Sequence, residues 1–265
     1  MVKYLDPEGV AARTNGSMTS HRGEYITPGP NFLWSIDAHC KLDWFGFQIY
    51  AAIDAYSRYI TWIYVGTTAH TAVSVLKQYL DTIEELGIHP QRLRSDRGTE
   101  TPMVADAHYQ IALKLRTSVS LNDCFFFGTS VANQRIESWW GQITKGALYR
   151  WRVRLYTLCA MNILISRQLY FEKLEQEGLW SKGSLADRIS LIAIYMPIIR
   201  SDVQSFVHNW NIHKIRKQKN RPNGVFGQPI KLYNWPGEGV RNYGTPVPKE
   251  MLQPFQAELE GFGEF

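Results

Sequence analysis

Cysteine is scarce in this chain, and long hydrophobic runs are missing. Three cysteines occur in 265 residues, and Cys40, Cys124 and Cys159 lie far apart without a CxxC pair. This spacing excludes a disulfide framework and a cysteine-based zinc ribbon, so we expect buried free thiols. The longest apolar stretch of the C-terminal half, residues 189–199, has 11 residues. A membrane helix needs about 20, so we expect a soluble protein without a membrane partner.

We expect no cleavable signal sequence in the N-terminal region. Lys3, Asp6 and Glu8 interrupt any hydrophobic run at the start. Residues 1–30 are polar, are rich in Gly, Ser, Thr and Arg, and end in Pro28-Gly29-Pro30. We therefore predict an irregular N-terminal segment.

Overall charge and size say little about function. The net charge is +5, which mildly favours a polyanionic partner, although many unrelated proteins are equally basic. With 45% hydrophobic residues, a chain of this length can form one substantial core with a helical extension. Any functional class must therefore follow from local motifs.

Three acidic residues stand in distinctive local contexts. Asp37 ends the apolar run of residues 32–36, which is typical of a buried strand. Asp96 follows residues 91–95 and is followed closely by Gly98, so it lies where a strand gives way to a loop. We therefore predict that both aspartates lie at strand ends.

Glu137 has a different context, because it lies in a helical pattern. Apolar residues recur there with the helical period: Ile136, Trp140, Ile143 and Ala147. Asn133, Glu137 and Gly141 form the neighbouring stripe, so the Glu137 carboxylate should face away from the apolar side. Ser130, just ahead of Val131, is the expected N-cap.

Two aspartates on strands and one glutamate on a helix are suited to a three-carboxylate metal site. Without metal the three charges repel one another, and at least one pKa should rise. Mg²⁺ or Mn²⁺ binds carboxylate oxygens and relieves that repulsion. Two ions roughly 4 Å apart can activate an attacking oxygen and stabilise a leaving one.

The remaining periodicity predicts an α/β order. The predicted strands are residues 45–53, 59–65, 93–96 and 116–120. The predicted helices are residues 70–86 ending at Gly87, a helix beginning at Thr101-Pro102, the Glu137 helix, and residues 155–174 and 185–208. The segment Phe125-Phe126-Phe127-Gly128 fits two interpretations, a flexible active-site loop or a buried strand edge.

Five phrases of the sequence carry a resemblance to a known family. They are Gly29-Pro30-Asn31-Phe32-Leu33-Trp34-Ser35-Ile36-Asp37, Asp54-Ala55-Tyr56-Ser57-Arg58-Tyr59-Ile60, Ser95-Asp96-Arg97-Gly98-Thr99-Glu100, Asn133-Gln134-Arg135-Ile136-Glu137-Ser138-Trp139-Trp140 and Trp210-Asn211-Ile212-His213-Lys214-Ile215-Arg216. On these phrases the chain resembles the integrase and transposase superfamily with a DDE triad, above all the retrotransposon-like integrase-core proteins of eukaryotic genomes. The resemblance implies a ribonuclease H-like fold, with a mixed five-stranded sheet flanked by helices and a C-terminal helical extension.

The resemblance also implies a function. Asp37, Asp96 and Glu137 would be both the catalytic residues and the ligands of two Mg²⁺ or Mn²⁺ ions. The chain would be a polynucleotidyl transferase with endonuclease activity, cutting DNA ends and joining them to target DNA. We expect a homo-oligomer in the nucleus, with DNA as its partner and without a small-molecule cofactor. Two alternatives stay open: a catalytically silent nucleic-acid-binding protein derived from a transposable element, and a hydrolytic nuclease of the same fold.

Two features depart from the retroviral pattern. Between Asp96 and Glu137 lie 40 residues, a few more than retroviral integrases usually have, which predicts a longer connection. Arg97 stands where many retroelement enzymes have Asn. The His/Cys zinc module and the small β-barrel of retroviral integrases have no counterpart in this sequence, so recognition of DNA ends is expected to need a further segment or a partner.

We predict four segments along the chain. Residues 1–30 form the irregular segment, and residues 31–150 form the catalytic core. Residues 151–212 form a helical extension packed on that core. Residues 213–265 comprise a basic segment and a C-terminal tail.

Other residues are candidates for contact with DNA or for support of the site. Those predicted to contact DNA are Arg135, Lys145, Arg150, Lys214, Arg216 and Lys217, although solvated surface positions are the alternative. Glu100, Asn133 and His39 are candidates to support the carboxylates. Glu100 fits equally well a helix-start acid that interacts with the helix dipole, and His39 fits better a partly buried, hydrogen-bonded histidine. Asp54 is assigned to a turn, because Asp favours turns. Trp139 and Trp140 fit either base stacking or, preferably, core packing.

Overall fold

The computed structural model describes residues 27–116, 118–128, 133–149, 151, 174–217 and 224–262. The strands in chain order are β1 (Trp34–His39), β2 (Gln48–Asp54), β3 (Ile60–Gly66), β4 (Ile88–His89), β5 (Leu93–Ser95), β6 (Phe125–Phe127) and β7 (Thr245–Pro246). The α-helices are α1 (Ala72–Leu86), α2 (Pro102–Leu115), α3 (Leu121–Cys124), α4 (Gln134–Ile143), α5 (Leu185–Ile212), α6 (Pro229–Asn234) and α7 (Lys249–Glu260). A short 3-10 helix (Asp43–Phe45) precedes β2, and a π-helix (Thr144–Leu148) continues α4.

The main sheet has five strands in the order β3-β2-β1-β5-β6. Strands β1, β2 and β3 are antiparallel neighbours, whereas β5 runs parallel to β1 and β6 parallel to β5. The expected ribonuclease H-like arrangement, a mixed five-stranded sheet flanked by helices, is confirmed. A helical C-terminal region is present as well, beginning with α5.

Alternate residues of the central strands enter two different hydrophobic clusters. Trp34 and Ile36 of β1 pack with α1, α2 and α7 on one face of the sheet. On the other face, Ile49 and Ile53 of β2 pack with α4 and α5. Burial on both faces explains why β2 is an almost continuous apolar run. The position of an acidic residue along one of these strands therefore decides whether its side chain points to the α1 side or to the α4 side of the sheet.

Two helix predictions from capping signals, the end of the first helix at Gly87 and the start of the second at Thr101-Pro102, are confirmed. Helix α1 begins after Thr71, whose side chain accepts a hydrogen bond from the Ser74 N–H, and ends at Gly87 with φ of 63°. Helix α2 begins at Pro102, as predicted. Helix α5 is longer than the predicted 185–208 and follows Ser184, whose hydroxyl accepts from the Asp187 N–H.

Several predictions near the fifth strand of the sheet were wrong. The described part of the predicted strand, residues 116 and 118–120, is not a strand, because Ser120 and Asp123 form a capping box that starts the short helix α3 instead. The strand is Phe125–Phe127, which pairs with β5, so this segment is a strand edge and not a loop. Helix α4 has Asn133 at its N-cap position. The predicted cap Ser130 lies outside the described residues.

Two further predictions concern cysteines and the second C-terminal helix. Cys124 is a buried free thiol as predicted, but Cys40 is exposed because the chain leaves β1 just before it. Cys159 and nearly all of the predicted helix 155–174 lie outside the described residues. No helix in the described part of the chain is both long enough and apolar enough to cross a membrane.

The C-terminal tail is part of the core. Strand β7 pairs with β4, and α7 packs against α1 and buries Leu252, Phe255 and Leu259. The Gln256 amide also donates a hydrogen bond to Glu84 of α1 at 2.8 Å. Within the predicted segment 213–265, residues 247–259 thus complete one hydrophobic face of the sheet.

Asn31 is the centre of a buried polar network that joins distant parts of the chain. It adopts a left-handed backbone with φ of 60°, and its N–H donates to Asp54 Oδ1 at 2.8 Å. Its Oδ1 accepts from Trp34 Nε1 at 2.9 Å and from the Tyr233 hydroxyl at 2.7 Å. Its Nδ2 donates to Asn242 Oδ1 at 3.0 Å. One side chain therefore links β1, α6 and the C-terminal segment.

Asp54 is the second member of this network, and its role is structural. Its Oδ2 accepts from the N–H and the hydroxyl of Ser57, at 2.8 and 2.6 Å, which closes the turn between β2 and β3. Burial raises its pKa to about 6, although these hydrogen bonds act in the opposite direction. The assignment of Asp54 to a turn agrees with this geometry.

Replacing Asn31 by Gly should destabilise the fold by about 2–6 kcal/mol. Gly tolerates the left-handed backbone, so the loss of stability should come from the side-chain hydrogen bonds to Trp34 and Tyr233 and not from backbone strain. Each buried donor left unpaired costs about 1–3 kcal/mol. Urea unfolding monitored by tryptophan fluorescence measures the change. Ser118→Gly is the control, because Ser118 also has a positive φ of 59° but is exposed. Equal effects of the two substitutions would contradict the role of the network.

Candidate active site

The two aspartates lie on neighbouring parallel strands. Asp37 is the fourth residue of β1, and Asp96 directly follows β5. Asp37 is thus within its strand and not at its end as predicted, because pairing with β2 continues to His39. Ile36 packs on the α1 side of the sheet, so Asp37 faces the side that carries α4.

The Asp37 carboxylate is held by a tryptophan of α4. Trp140 Nε1 donates a hydrogen bond to Asp37 Oδ2 at 2.8 Å. Burial raises the pKa of Asp37 to about 7, the Trp140 bond acts to lower it, and the charges of Asp96 and Glu137 raise it further. The structure therefore brings the three predicted carboxylates within range of mutual repulsion.

Glu137 lies in the first turn of α4 and is exposed, whereas Ile136, Trp140, Ile143 and Ala147 are buried. The exposure of Glu137 and the burial of the four apolar residues match the predicted helical period. Asn133 does not share the exposed stripe, because it is 1% exposed and its Nδ2 donates to the Ile36 carbonyl at 3.0 Å. That bond fixes the start of α4 on β1, next to Asp37.

The loop after β5 carries a fourth acid close to the other three. Ser95 Oγ donates to the Asp96 carbonyl at 2.8 Å, and Thr101 Oγ1 donates to the Gly98 carbonyl at 2.8 Å. A side chain at Gly98 would clash with the Glu100 carboxylate, which folds back over this glycine. The charges of Glu100 and Asp96 both contribute to the raised pKa of Cys40, after burial and Asp43. Glu100 therefore belongs to the same acidic region.

His39 lies beneath the carboxylates and not among them. It is 4% exposed, its Nε2 is 3.2 Å from Thr144 Oγ1, and its ring packs 5.0 Å from that of Trp140. Trp139 and Trp140 are both buried in the core. Of the two interpretations of these tryptophans, core packing is correct.

The acids interact through their charges without converging on one metal-binding point. Within the described residues, no group of three or more His, Cys, Asp or Glu side chains is arranged to hold a metal ion. The donor chemistry nevertheless suits a hard divalent cation, because such a cation would neutralise the carboxylate oxygens of a partly buried acidic group.

The predicted DNA contacts are distributed over two regions. Lys145 is exposed on the π-helix that continues α4, and Arg135 is half-buried near Glu137. Lys214, Arg216 and Lys217 are exposed beyond the end of α5. Arg150 lies outside the described residues.

Sequence reasoning missed the role of Trp140 at this site. The helical period predicted its burial, but the direction of its indole N–H depends on how α4 crosses β1. The signal available was a tryptophan one turn after Glu137, since a buried Trp needs a hydrogen-bond acceptor for its N–H.

Comparison with known proteins gives one family and a set of related folds. No curated protein sequence matches the chain significantly. Of the solved structures, 57 chains match. One is the HTLV-2 integrase catalytic core domain in complex with magnesium, in a dimeric form, which is 11% identical, covers 78% of this chain and 97% of that chain, and has a TM-score of 0.42. The family model of the integrase core domain matches residues 24–233. The chain therefore belongs to the integrase core domain family.

Proposed function

We propose that this protein carries out DNA integration by metal-dependent phosphoryl transfer at Asp37, Asp96 and Glu137. Membership in the integrase core domain family supports a DNA integration-type function. The reaction would comprise cleavage at a DNA end followed by strand transfer into target DNA, which defines a polynucleotidyl transferase with endonuclease activity.

The placement of Asp37 and Asp96 on neighbouring parallel strands, beside the helix that carries Glu137, is the observation that carries the proposal, and the raised pKa of Asp37 agrees with it. A carboxyl group with a pKa of about 7 is uncommon, and here burial and the charges of Asp96 and Glu137 both contribute. Perturbed carboxyl groups cluster at functional sites, because a fold gains nothing in stability from charges that repel. A divalent cation would remove this repulsion, which explains why three acids would be brought together.

We propose Mg²⁺ or Mn²⁺ as the cofactor, with two ions bound by the carboxylate oxygens of Asp37, Asp96 and Glu137. When bound, the ions supply activation of the attacking oxygen and neutralisation of charge at the reacting phosphate. The exposed position of Glu137 allows its side chain to turn toward the two aspartates.

The other residues of the site would position these ligands. Trp140 restrains the Asp37 carboxylate through its indole N–H. Asn133 ties α4 to β1 beside Asp37, and His39 with Thr144 supports the Trp140 ring from below. Glu100 adds negative charge close to Asp96 and is proposed to orient water around the ions. Holding the ligands and the water in fixed positions would accelerate the reaction without a covalent enzyme intermediate.

DNA binding and assembly are further parts of the proposal. Arg135 and Lys145 would contact phosphates near the reacting bond, and the exposed Lys214, Arg216 and Lys217 would follow the DNA backbone. Joining two DNA ends requires more than one active site, so we propose a homo-oligomer. A substrate of chromosomal DNA and a basic segment at 213–221 support action in the nucleus.

Replacing Glu137 by Gln should abolish the reaction, with a loss of at least about 100-fold, more than the loss of a supporting partner usually costs. The substitution keeps the side-chain shape but removes one ligand charge. Nicking and joining of plasmid DNA, with Mg²⁺ and with Mn²⁺, measures the effect. Glu258→Gln on α7, an exposed glutamate on the opposite face, should retain wild-type activity.

Products of the same assay separate the alternatives. Joined DNA identifies an integrase, whereas cut but never joined DNA identifies a hydrolytic nuclease. A wild-type protein that binds DNA but neither cuts nor joins it would refute catalysis and leave the silent binding protein.

Replacing Trp140 by Phe should shift the acid limb of the pH–rate profile upward by about one pH unit. The ionised form of Asp37 accepts the Trp140 hydrogen bond, and such a bond to a charged group contributes about 1.5–3 kcal/mol, at about 1.4 kcal/mol per pKa unit. Its loss raises the pKa of Asp37 further, so the protonated form persists to higher pH. Plasmid nicking from pH 5.5 to 9 at constant Mg²⁺ measures the shift.

Trp139→Phe is the matched control for this prediction. Trp139 is equally buried beside Trp140, but its Nε1 has no hydrogen-bond partner within the described residues. Its replacement should lower stability without moving the pH profile. The proposed link between Trp140 and Asp37 is wrong if both variants shift the profile equally.

A further inference from the structure

On the sheet face that carries α4, strands β5 and β6 are covered differently from β1 and β2. Leu93 of β5 and Phe125 of β6 pack in the cluster on the α1 side. Because strand residues alternate, Arg94 and Phe126 face the same side as α4 and Asp37. Helix α4 lies mainly over β1 and β2. The face of β5 and β6 therefore presents arginine and aromatic side chains beside the carboxylates.

These side chains form a continuous series that we call the Arg–aromatic ladder, made of Arg94, Phe126, Arg92, Phe32, Tyr243 and Arg241. The guanidinium carbons of Arg94 and Arg92 lie 5.6 and 5.3 Å from the centroid of the Phe126 ring. Arg92 also lies 4.6 Å from the Phe32 ring. Phe32 meets Tyr243 edge-on at 5.1 Å, and Arg241 lies 5.4 Å from the Tyr243 ring.

The fold holds the ladder at both ends. Arg94 pairs in register with Ser35 of β1 and stands two residues before Asp96. At the far end, the Tyr243 N–H donates to the Pro30 carbonyl at 2.9 Å. The Asn242 side chain accepts a hydrogen bond from Asn31, which places Tyr243 next to Phe32. The ladder thus runs away from the carboxylates along a fixed path.

Two arginines of the ladder, Arg92 and Arg241, form no ion pair within the described residues, although the Ser120 hydrogen bonds and, to a lesser extent, the charge of Arg92 lower the pKa of Asp123. Arg92 Nε donates instead to the backbone carbonyl of Asp123 at 2.9 Å, while the Asp123 carboxylate accepts from Ser120. Phe32 and Tyr243 beside these two arginines make the surface both aromatic and cationic.

We infer that the Arg–aromatic ladder binds an unpaired stretch of DNA strand next to the phosphodiester that reacts at the carboxylates. This inference rests on the proposed function and specifies the form of DNA that the site takes. Guanidinium planes and aromatic rings stack on exposed bases, and the arginine charges bind the phosphates between them. In a duplex the base faces are already stacked on one another. A strand end that is frayed or overhanging therefore fits this surface better than intact duplex.

The ladder predicts different effects for loss of a ring and loss of charge. Phe126→Leu should weaken binding of a 15-nucleotide single strand by about tenfold, since one stacked base contributes about 1–3 kcal/mol. Arg92→Gln and Arg241→Gln together should weaken binding and reduce the salt slope of log K by about 1.4, at about 0.7 for each phosphate that is no longer bound. Binding of a blunt duplex by Phe126→Leu should stay within twofold of wild type. Fluorescence anisotropy over a NaCl series, in EDTA, measures these quantities.

Two matched controls lie elsewhere on the chain. Phe127→Leu alters the next residue of β6, an exposed ring that packs on Phe125 at 4.6 Å on the other face of the sheet. Lys114→Gln removes a cation located 5.2 Å from the Phe255 ring, outside the ladder. Both controls should bind single strands within twofold of wild type. Equal losses for Phe126→Leu and Phe127→Leu, or no loss for Phe126→Leu, overturn the inference.

A second measurement uses the wild-type protein, so its result does not depend on whether the variants fold. Single strands carrying 5-iododeoxyuridine should crosslink on irradiation to wild-type peptides that contain Phe32, Phe126 or Tyr243, as read by mass spectrometry. Crosslinks only to other peptides overturn the inference. So does a Phe126→Leu protein that changes its sedimentation coefficient but not its DNA affinity, because the surface would then contact a second copy of the chain.

The test is independent of whether the protein cuts DNA. No phosphoryl transfer occurs in EDTA, and Glu258→Gln, far from the ladder and the carboxylates, should bind single strands as the wild type does. Inactivity in the plasmid assay together with ladder-dependent binding refutes the proposed catalysis alone. Plasmid joining together with ladder-independent binding refutes this inference alone.

Discussion

The hydrogen bond between the Asn31 N–H and Asp54 is the contact on which the arrangement of this chain depends. Asp54 is fully buried at the end of β2 and closes the turn to β3, while Asn31 gathers Trp34, Tyr233 and Asn242 around its side chain. Removing either partner leaves buried polar groups unpaired. The register of β1 against β2 follows from this anchor, and with it the position of Asp37. The catalytic proposal and the Arg–aromatic ladder both rely on it.

The second constraint is electrostatic. Asp37 is held between an apolar core, which favours its neutral form, and Trp140, which favours its ionised form. Two more carboxylates nearby increase the preference for the proton. A fold tolerates this arrangement because the hydrophobic packing of α4 with β2 and α5, together with its hydrogen bonds to β1, is extensive enough to hold the acids close. The repulsion is therefore built into the site by packing.

Much of the fold and the positions of the acids could be predicted from the sequence, because hydrophobic period and capping signals act locally. Helix α1 with Thr71 and Gly87, and the buried face of α4, are examples. Whether Phe125–Phe127 form a strand or a loop could not be decided in this way, because a run of three phenylalanines has no alternation. Only the pairing with β5 makes this segment a strand. The roles of Asn31 and Trp140 depend on side-chain directions set by elements more than 100 residues apart, as in the Trp140–Asp37 bond. Local patterns do not carry that information.

A site that handles DNA must bring phosphate groups close to several carboxylates, and these charges repel one another. Protonation of Asp37 near neutral pH lowers the negative charge of the free protein at that point. The arginines of the ladder lie on the same sheet face and offer favourable contacts to the same strand before the carboxylates are reached. Association can therefore begin on the ladder, where attraction dominates, and ionisation of Asp37 can follow once cations and phosphate arrive together. If both proposals hold, the ladder and the acidic group would work as one unit, each making the other compatible with a polyanionic substrate.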